Sequence, residues 1–268
     1  MDRYVVIGNP VAHSRSPEIH ARFARQTGES ISYERLLVEP GDFARAAREF
    51  FAAGGRGANV TLPFKVDAFA FAQERTPRAR EAGAANTLAM RGGAVLADNT
   101  DGAGLVRDLT ANLGLALAGA RILLLGAGGA ARGVVAPLLA LSPAMLVIAN
   151  RTGERARELA RVFAAAGRVE GAGLEAMGEG YDLVVNATSA STRGEPLDLP
   201  GGLFAHGATA YDMAYGAAAL PFLAGARAAG ARTSDGLGML VEQAAESFLL
   251  WRGKRPETAA VIAALRAA

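Results

Sequence analysis

Lysine occurs only at Lys65 and Lys254 in this chain of 268 residues, so 26 of its 28 basic residues are arginine. Arginine is planar and permanently protonated, whereas lysine carries a compact ammonium that can titrate. Where arginine supplies every generic positive charge, a retained lysine points to chemistry. Lys254 lies in the polar stretch Arg252-Gly253-Lys254-Arg255-Pro256, where a solvated turn is sufficient explanation. Lys65 instead closes Asn59-Val60-Thr61-Leu62-Pro63-Phe64-Lys65, a run that puts Thr61 and Lys65 at a strand-to-helix junction. An ammonium held there can titrate or offer a compact positive charge, and such a junction is a favoured site for function. A further polar cluster stands in Ala84-Ala85-Asn86-Thr87 and Asp98-Asn99-Thr100-Asp101-Gly102, although turn chemistry or an N-cap accounts for such Asn and Asp residues about as well as catalysis. A third cluster, Ser14-Arg15-Ser16-Pro17, sets two hydroxyls at a helix start, a place suited to a small carboxylate.

A second kind of site is written in Arg121-Ile122-Leu123-Leu124-Leu125 followed by Gly126-Ala127-Gly128-Gly129-Ala130-Ala131, a G-x-G-x-x-A pattern between strand and helix. Its small residues serve a tight turn, close approach to a pyrophosphate, and close packing of helix on strand. The next strand ends in Asn150-Arg151-Thr152, with no acidic residue to bond a ribose 2′-hydroxyl. Arg151 and Arg155 lie four apart and can converge on a 2′-phosphate, so NADP is favoured over NAD. Arg157 and Arg161 are read as helix-surface charge paired with Glu154 and Glu158.

Composition removes other chemistries. The chain has no cysteine, hence no disulfide, thiolate metal site or thiol nucleophile; with three histidines and no HExxH, no metal site is expected. A formal net charge of +2 gives no basic face for nucleic acid. The N-terminus lacks a signal-peptide apolar region, and the longest uncharged window, 133–150, is broken by Pro137 and Pro143. A soluble, cytoplasmic protein without membrane contact is expected.

The elements that must position these residues alternate strand and helix, which argues for βα units and parallel sheets. Strands are expected at 4–8, 32–38 and 58–62, helices at 17–27 and 42–53, and a hairpin at 86–91 and 94–98 around Gly92-Gly93. Ser16 is expected to cap the first helix, with Pro17 at its first position and Gly28 beyond its end. A second βα series follows, with strands at 121–125, 145–149, 182–186 and 208–212 and helices at 128–141, 153–166 and 221–229. Helices at 237–251 and 256–267 close the chain. The fold class is α/β with two domains: an N-terminal substrate domain, 1–101 plus 237–268, and a Rossmann-type dinucleotide-binding domain, 102–236, with a ligand cleft expected between them. Oligomeric state is left open, a homodimer included, and Phe248 and Trp251 are read as core.

Taken together these segments resemble the shikimate dehydrogenase family. The resemblance rests on Gly8-Asn9-Pro10, Ser14-Arg15-Ser16-Pro17, the 59–65 and 85–87 segments, Asn99-Thr100-Asp101-Gly102, the 126–131 loop, Asn150-Arg151-Thr152, Asn186-Ala187-Thr188-Ser189, Tyr211-Asp212-Met213, and Gly236-Leu237-Gly238-Met239-Leu240 with Gln243, in order along nearly the whole chain. It implies reversible hydride transfer between NADPH and 3-dehydroshikimate, giving shikimate, in aromatic amino-acid biosynthesis. By resemblance Ser14 and Ser16 hold the substrate carboxylate; Thr61, Lys65, Asn86, Asp101, Tyr215 and Gln243 surround its hydroxyls; and Lys65 with Asp101 forms the catalytic pair, Asp101 orienting Lys65. Gly126, Ala127, Gly128, Gly129, Ala130, Asn150, Arg151, Thr152 and Arg155 fall to the dinucleotide, and Ala187, Thr188, Met213 and Gly236 line its nicotinamide. The chain departs from the family at Ser191-Thr192, before Pro221-Phe222 and in the small-sided stretch 214–219, which bears on the nicotinamide loops. A quinate-type relative using NAD would call for an acidic residue after the second nucleotide-domain strand, and a non-catalytic sensor for loss of Lys65 or Asp101; neither holds.

Overall fold

The structure is a computed structural model that describes residues 1–193, 195 and 197–267. The chain forms two compact units, Met1–Gly104 with Leu240–Ala268, and Leu105–Met239. Both seams fall inside helices, three residues beyond the bounds at 101 and 236 that the sequence suggests.

The first unit runs β1 (Asp2–Gly8), α1 (Ser16–Thr27), β2 (Ile31–Leu37), α2 (Phe43–Ala52), β3 (Gly55–Val60), α3 (Lys65–Phe71), β4 (Glu74–Arg75), α4 (Pro77–Ala82), β5 (Thr87–Arg91), β6 (Ala94–Asp98) and the start of α5 (Asp101–Arg107). Its sheet has the order β2-β1-β3-β5-β6-β4. The first three strands are parallel, and the β5–β6 hairpin enters antiparallel to β3. Helix α2 buries Phe43, Ala47, Phe50 and Phe51 against Val5, Ile7, Val60 and Phe64. At roughly 25 cal/mol per Å² of apolar surface, each such aromatic contributes a few kcal/mol.

One cap differs from the expectation. Helix α1 starts at Ser16 with Arg15 in the cap position and no side-chain cap bond, and Ser14 Oγ accepts from the Ser16 N–H at 3.3 Å. Pro17 in the following position has no N–H to satisfy, which lets the helix begin one residue early. Helix α4 goes unread in the sequence although its signals are ordinary: Thr76 accepts from Ala79 N, Pro77 opens the helix, and Gly83 ends it in a left-handed conformation.

The second unit continues with a π-helical turn at Asp108–Asn112, then β7 (Arg121–Leu125), α6 (Gly129–Leu139), β8 (Met145–Asn150), α7 (Gly153–Phe163), β9 (Val169–Gly173), β10 (Tyr181–Asn186), α8 (Ala190–Arg193), β11 (Phe204–Asp212), α9 (Leu220–Ala228), β12 (Arg232–Asp235) and the first turn of α10 (Leu237–Arg252). Its six strands are all parallel in the order β12-β11-β10-β7-β8-β9. That is the doubly wound dinucleotide-binding order, reversing direction between β7 and β10. Apolar layers cover both faces, one built around Ile122, Leu124, Val134 and Leu159, the other around Leu123, Val184 and Phe222.

Edge strands β9 and β12 are absent from the sequence reading. In β9 the cause is Gly171, where a Cβ would collide with the Ala156 backbone of α7. Glycine is needed for that approach, and a Gly-rich stretch reads as loop. The rest of α10 and α11 (Ala259–Ala267) pack on the first unit; Phe248 is fully buried, and Trp251 donates to Leu88 O at 2.9 Å. No helix among the described residues is long and apolar enough to cross a membrane.

Candidate active site

Lys65 is the first residue of α3, and its backbone carbonyl accepts from Ala85 N at 2.8 Å. Its Nζ reaches Asp101 Oδ2 at 2.5 Å, with only 12% of the lysine and 7% of the aspartate side chain exposed. Asp101 is the first residue of α5 and its N–H is held by Asn99 Oδ1 at 3.2 Å, while Asn99 donates to Ala84 O at 3.0 Å. The other carboxylate oxygen, Oδ1, accepts from Asn86 Nδ2 at 2.9 Å. Residues 36 apart in the chain are thus brought to one point by the β3–α3 junction and the turn after β6.

Asn86 stands just before β5, anchored by its N–H on Asp98 O and its carbonyl on Val60 N. It is 2% exposed, and its amide also lies within hydrogen-bond reach of Thr100 Oγ1 and Gln243 Oε1, while its Oδ1 accepts from Thr100 N at 2.7 Å. Gln243 comes from α10 and donates to Leu240 O. Behind this layer Asn59 Nδ2 reaches Ser247 Oγ at 2.8 Å and Thr87 Oγ1 at 3.2 Å, and Tyr33 Oη donates to Asn59 Oδ1 at 2.7 Å. A buried network with both ends satisfied is rigid, and it fixes which way each amide faces.

Thr87, Thr100, Ser247, Asn59 and Tyr33 are not singled out as site residues by the sequence. Ser247 carries a usable signal, being four residues beyond Gln243 on an otherwise apolar stripe of α10. Thr61 follows β3 at the same end of the sheet, with its N–H on Ile7 O and no side-chain hydrogen bond among the described residues. Ser14 and Ser16 lie with their hydroxyl oxygens 3.1 Å apart at the start of α1.

In the second unit, β7 is followed by Gly126, whose φ of +109° and approach to Ala187 (a Cβ would lie 3.1 Å from the Ala187 backbone) exclude other residues. Gly128 occupies the cap position of α6 with no side-chain cap bond and open space beside it, and the helix begins at Gly129 and Ala130. The N–H groups of that first turn are therefore free to bind an anion. Arg151 and Arg155 are exposed beyond the end of β8 and make no ion pair among the described residues. Asn150 Nδ2 donates to Thr152 O at 3.0 Å, shaping the turn between them. Arg157 and Arg161 both pair with Glu154, at 3.0 and 3.2 Å. The expected partner Glu158 takes neither, because positions three and seven beyond Glu154 share its face.

Ala187, Thr188, Met213 and Gly236 follow β10, β11 and β12 at the carboxyl end of the sheet. Asn186 ties Thr188 to Met213: its Oδ1 accepts from Thr188 N and Oγ1, its carbonyl from Met213 N, and its Nδ2 donates to Asp212 and Ser191, while Gly236 N donates to Ala214 O. Asp212 is 1% exposed; burial pushes its carboxyl above the usual range, although Ser191 and Ala214 N also donate to it. The supporting role of Asn186, Asp212 and Ser191 is invisible in the sequence, where they stand only as parts of motifs. The Ser191-Thr192 departure lies in α8, where the Thr192 side chain is outside the described residues. Tyr215 stands in the second unit, before the single-turn helix Gly216–Ala219.

Comparisons with known proteins agree in one direction. Three family models match: the shikimate dehydrogenase substrate binding domain over residues 6–88, the shikimate / quinate 5-dehydrogenase over 108–193, and the shikimate 5′-dehydrogenase C-terminal domain over 236–266. The chain is 58% identical to a shikimate dehydrogenase (NADP(+)) of Dechloromonas aromatica, covering 99% of this chain and 98% of that one. Among solved structures, an Ael1 enzyme from Pseudomonas putida superposes with a TM-score of 0.89 at 45% identity, over 99% of this chain and 98% of that one. A shikimate 5-dehydrogenase from Thermus thermophilus, in complex with NADP(H) and shikimate, does so with 0.85 at 34% identity, over 100% and 99%.

Proposed function

The chain belongs to the shikimate dehydrogenase family, and on that premise we propose that it reduces 3-dehydroshikimate reversibly to shikimate, with NADP(H) as the hydride carrier. The observation that carries the reading is the enclosed Lys65–Asp101 pair, 2.5 Å apart, in a chain of this family. NADP(H), when bound, supplies the hydride that converts the substrate's ring ketone to a secondary alcohol. Everything else is the work of this chain's own groups.

As the carbonyl carbon gains its hydride the oxygen becomes alkoxide-like and needs a proton or a compensating charge. The Lys65 ammonium provides it, donating the proton in the reducing direction and accepting it in the oxidising one. Asp101 Oδ2 aims that ammonium, and Asn86 on Oδ1 keeps the carboxylate from rotating. In this reading Gln243, Asn86 and Thr61 bond the remaining hydroxyls, and Ser14 and Ser16, whose hydroxyls lie 3.1 Å apart, take the carboxylate.

The dinucleotide fits the second unit. The pyrophosphate is assigned to the loop Gly126-Ala127-Gly128-Gly129-Ala130 and the uncapped start of α6, and the 2′-phosphate to Arg151 and Arg155 with Asn150 and Thr152. Ala187, Thr188, Met213 and Gly236 are assigned to the nicotinamide. Cytoplasmic residence and a homodimeric state complete the reading; both are open to fractionation and sedimentation. The reaction is tested by absorbance of reduced nicotinamide with purified protein, shikimate or quinate, and NADP or NAD. Reduction of NADP by shikimate, with little by quinate, is expected; no reduction by a protein that still binds NADP would overturn the reading.

A further inference from the structure

We propose that Arg35 is a positioning residue of the carboxylate end of the substrate site, acting through the backbone of Ser14; the inference rests on the assignment of Ser14 and Ser16 made above. Arg35 lies on β2, the edge strand, and both Nε and Nη2 donate to the Ser14 carbonyl, at 3.0 and 2.6 Å. That carbonyl belongs to a tight turn in which the Ser14 N–H already bonds Val11 O at 3.0 Å. The same turn sets the Ser14 hydroxyl 3.1 Å from that of Ser16. Two guanidinium bonds to one oxygen fix the turn's orientation, and with it where the two hydroxyls stand. Tyr33, two residues earlier on the same face of the strand, holds Asn59, so one face of β2 serves both ends of the polar network.

Charge makes this more than a tether. Arg35 has no carboxylate partner among the described residues, so its cation is uncompensated. The acid in the first turn of α1, Glu18, is engaged by Arg15 at 3.0 Å and Arg22 at 2.9 Å. Glu18 is thus already engaged, and Arg35 adds a further cation at the Ser14 turn, beside a helix start with no side-chain cap. The excess suits a monoanionic carboxylate. A tie serving only the fold would need the hydrogen bonds and not the charge.

The experiment compares wild type with Arg35→Ala and Arg35→Lys, using shikimate and its methyl ester, in which the carboxylate charge is gone. For Arg35→Ala the KM for shikimate rises about tenfold with kcat within about twofold, and the KM for NADP is unchanged. For the ester, kcat/KM of the variant and wild type agree within about twofold, and Arg35→Lys recovers part of the loss for shikimate. Equal losses for acid and ester, or an unchanged KM for shikimate in a folded Arg35→Ala, would overturn the proposal. Should Arg35→Ala not fold, a wild-type KM for shikimate that is insensitive to added salt would overturn it as well. A wild-type protein inactive with shikimate would instead sink the underlying functional reading.

Discussion

Asn86 and Asp101 face each other at 2.9 Å, amide nitrogen to Oδ1, on the side of the carboxylate that Lys65 does not use. The aspartate is thereby held at both oxygens, one by an ammonium and one by a neutral amide that is itself locked by Thr100. Such a carboxylate orients its lysine without freedom to swing, and preorganisation of this kind is what lowers a barrier for proton and charge transfer.

Lys65→Ala is expected to lower kcat roughly 10²- to 10⁴-fold, the usual contribution of a positioned acid–base group. NADP and shikimate should still bind, as read by protein fluorescence and calorimetry. Near-normal turnover would remove Lys65 from the chemistry.

Removing Arg151 and Arg155 together should cost about 100-fold in kcat/KM with NADPH and about twofold with NADH, since only the former carries the 2′-phosphate. Equal losses with both cofactors would place that phosphate elsewhere.

His20 is wholly buried, stacked on Tyr33 with ring centroids 4.3 Å apart, and neither ring nitrogen has a hydrogen-bond partner among the described residues. Burial holds its pKa down at about 3. In the unfolded chain it would take a proton near pH 6.5, so between there and pH 3 the unfolded state binds one proton more than the native one. Stability should fall with decreasing pH across that window, by about 1.4 kcal/mol per pH unit from this group. His20→Phe keeps the stack and should remove that slope in denaturant titrations run from pH 7 to pH 4; an unchanged slope would refute the assignment.

Asp98 is 1% exposed and accepts from Arg78 Nε at 2.6 Å and Nη2 at 2.5 Å, and from Thr76 Oγ1 at 2.6 Å. Burial alone would raise its carboxyl, but the Arg78 hydrogen bonds and charge win and leave it below the usual range. Its contribution is therefore present above the unfolded carboxylate value and is lost as pH falls through the depressed native one. Asp98→Asn should cost roughly 1–3 kcal/mol at pH 7, discounted for the partly exposed Arg78, and the cost should shrink below about pH 4. A cost that stays constant into acid would show the carboxylate charge to be irrelevant.

How much could be read in advance depended on how local each signal was. The 126–131 glycines, the Gly92-Gly93 hairpin and the apolar stripe of α2 report backbone geometry and periodicity within a few residues, and each stands where expected. The π-helical turn at 108–112, the Gly-rich β9 and the Arg15 cap of α1 do not, because each is decided by what packs against it.

From the amino-acid types alone came the rarity of lysine, the absence of an acid after the second nucleotide-domain strand, and hence the candidates Lys65, Arg151 and Arg155. Those are facts of chemical identity, and no fold is needed to state them. Only the tertiary structure decided that Asp101 meets Lys65, that Asn86 braces it, and that Arg35 on an edge strand grips Ser14. Such pairings join residues 15 to 36 positions apart across different elements. Sheet order and helix placement set them, and both arise from burying the apolar faces of the whole unit at once.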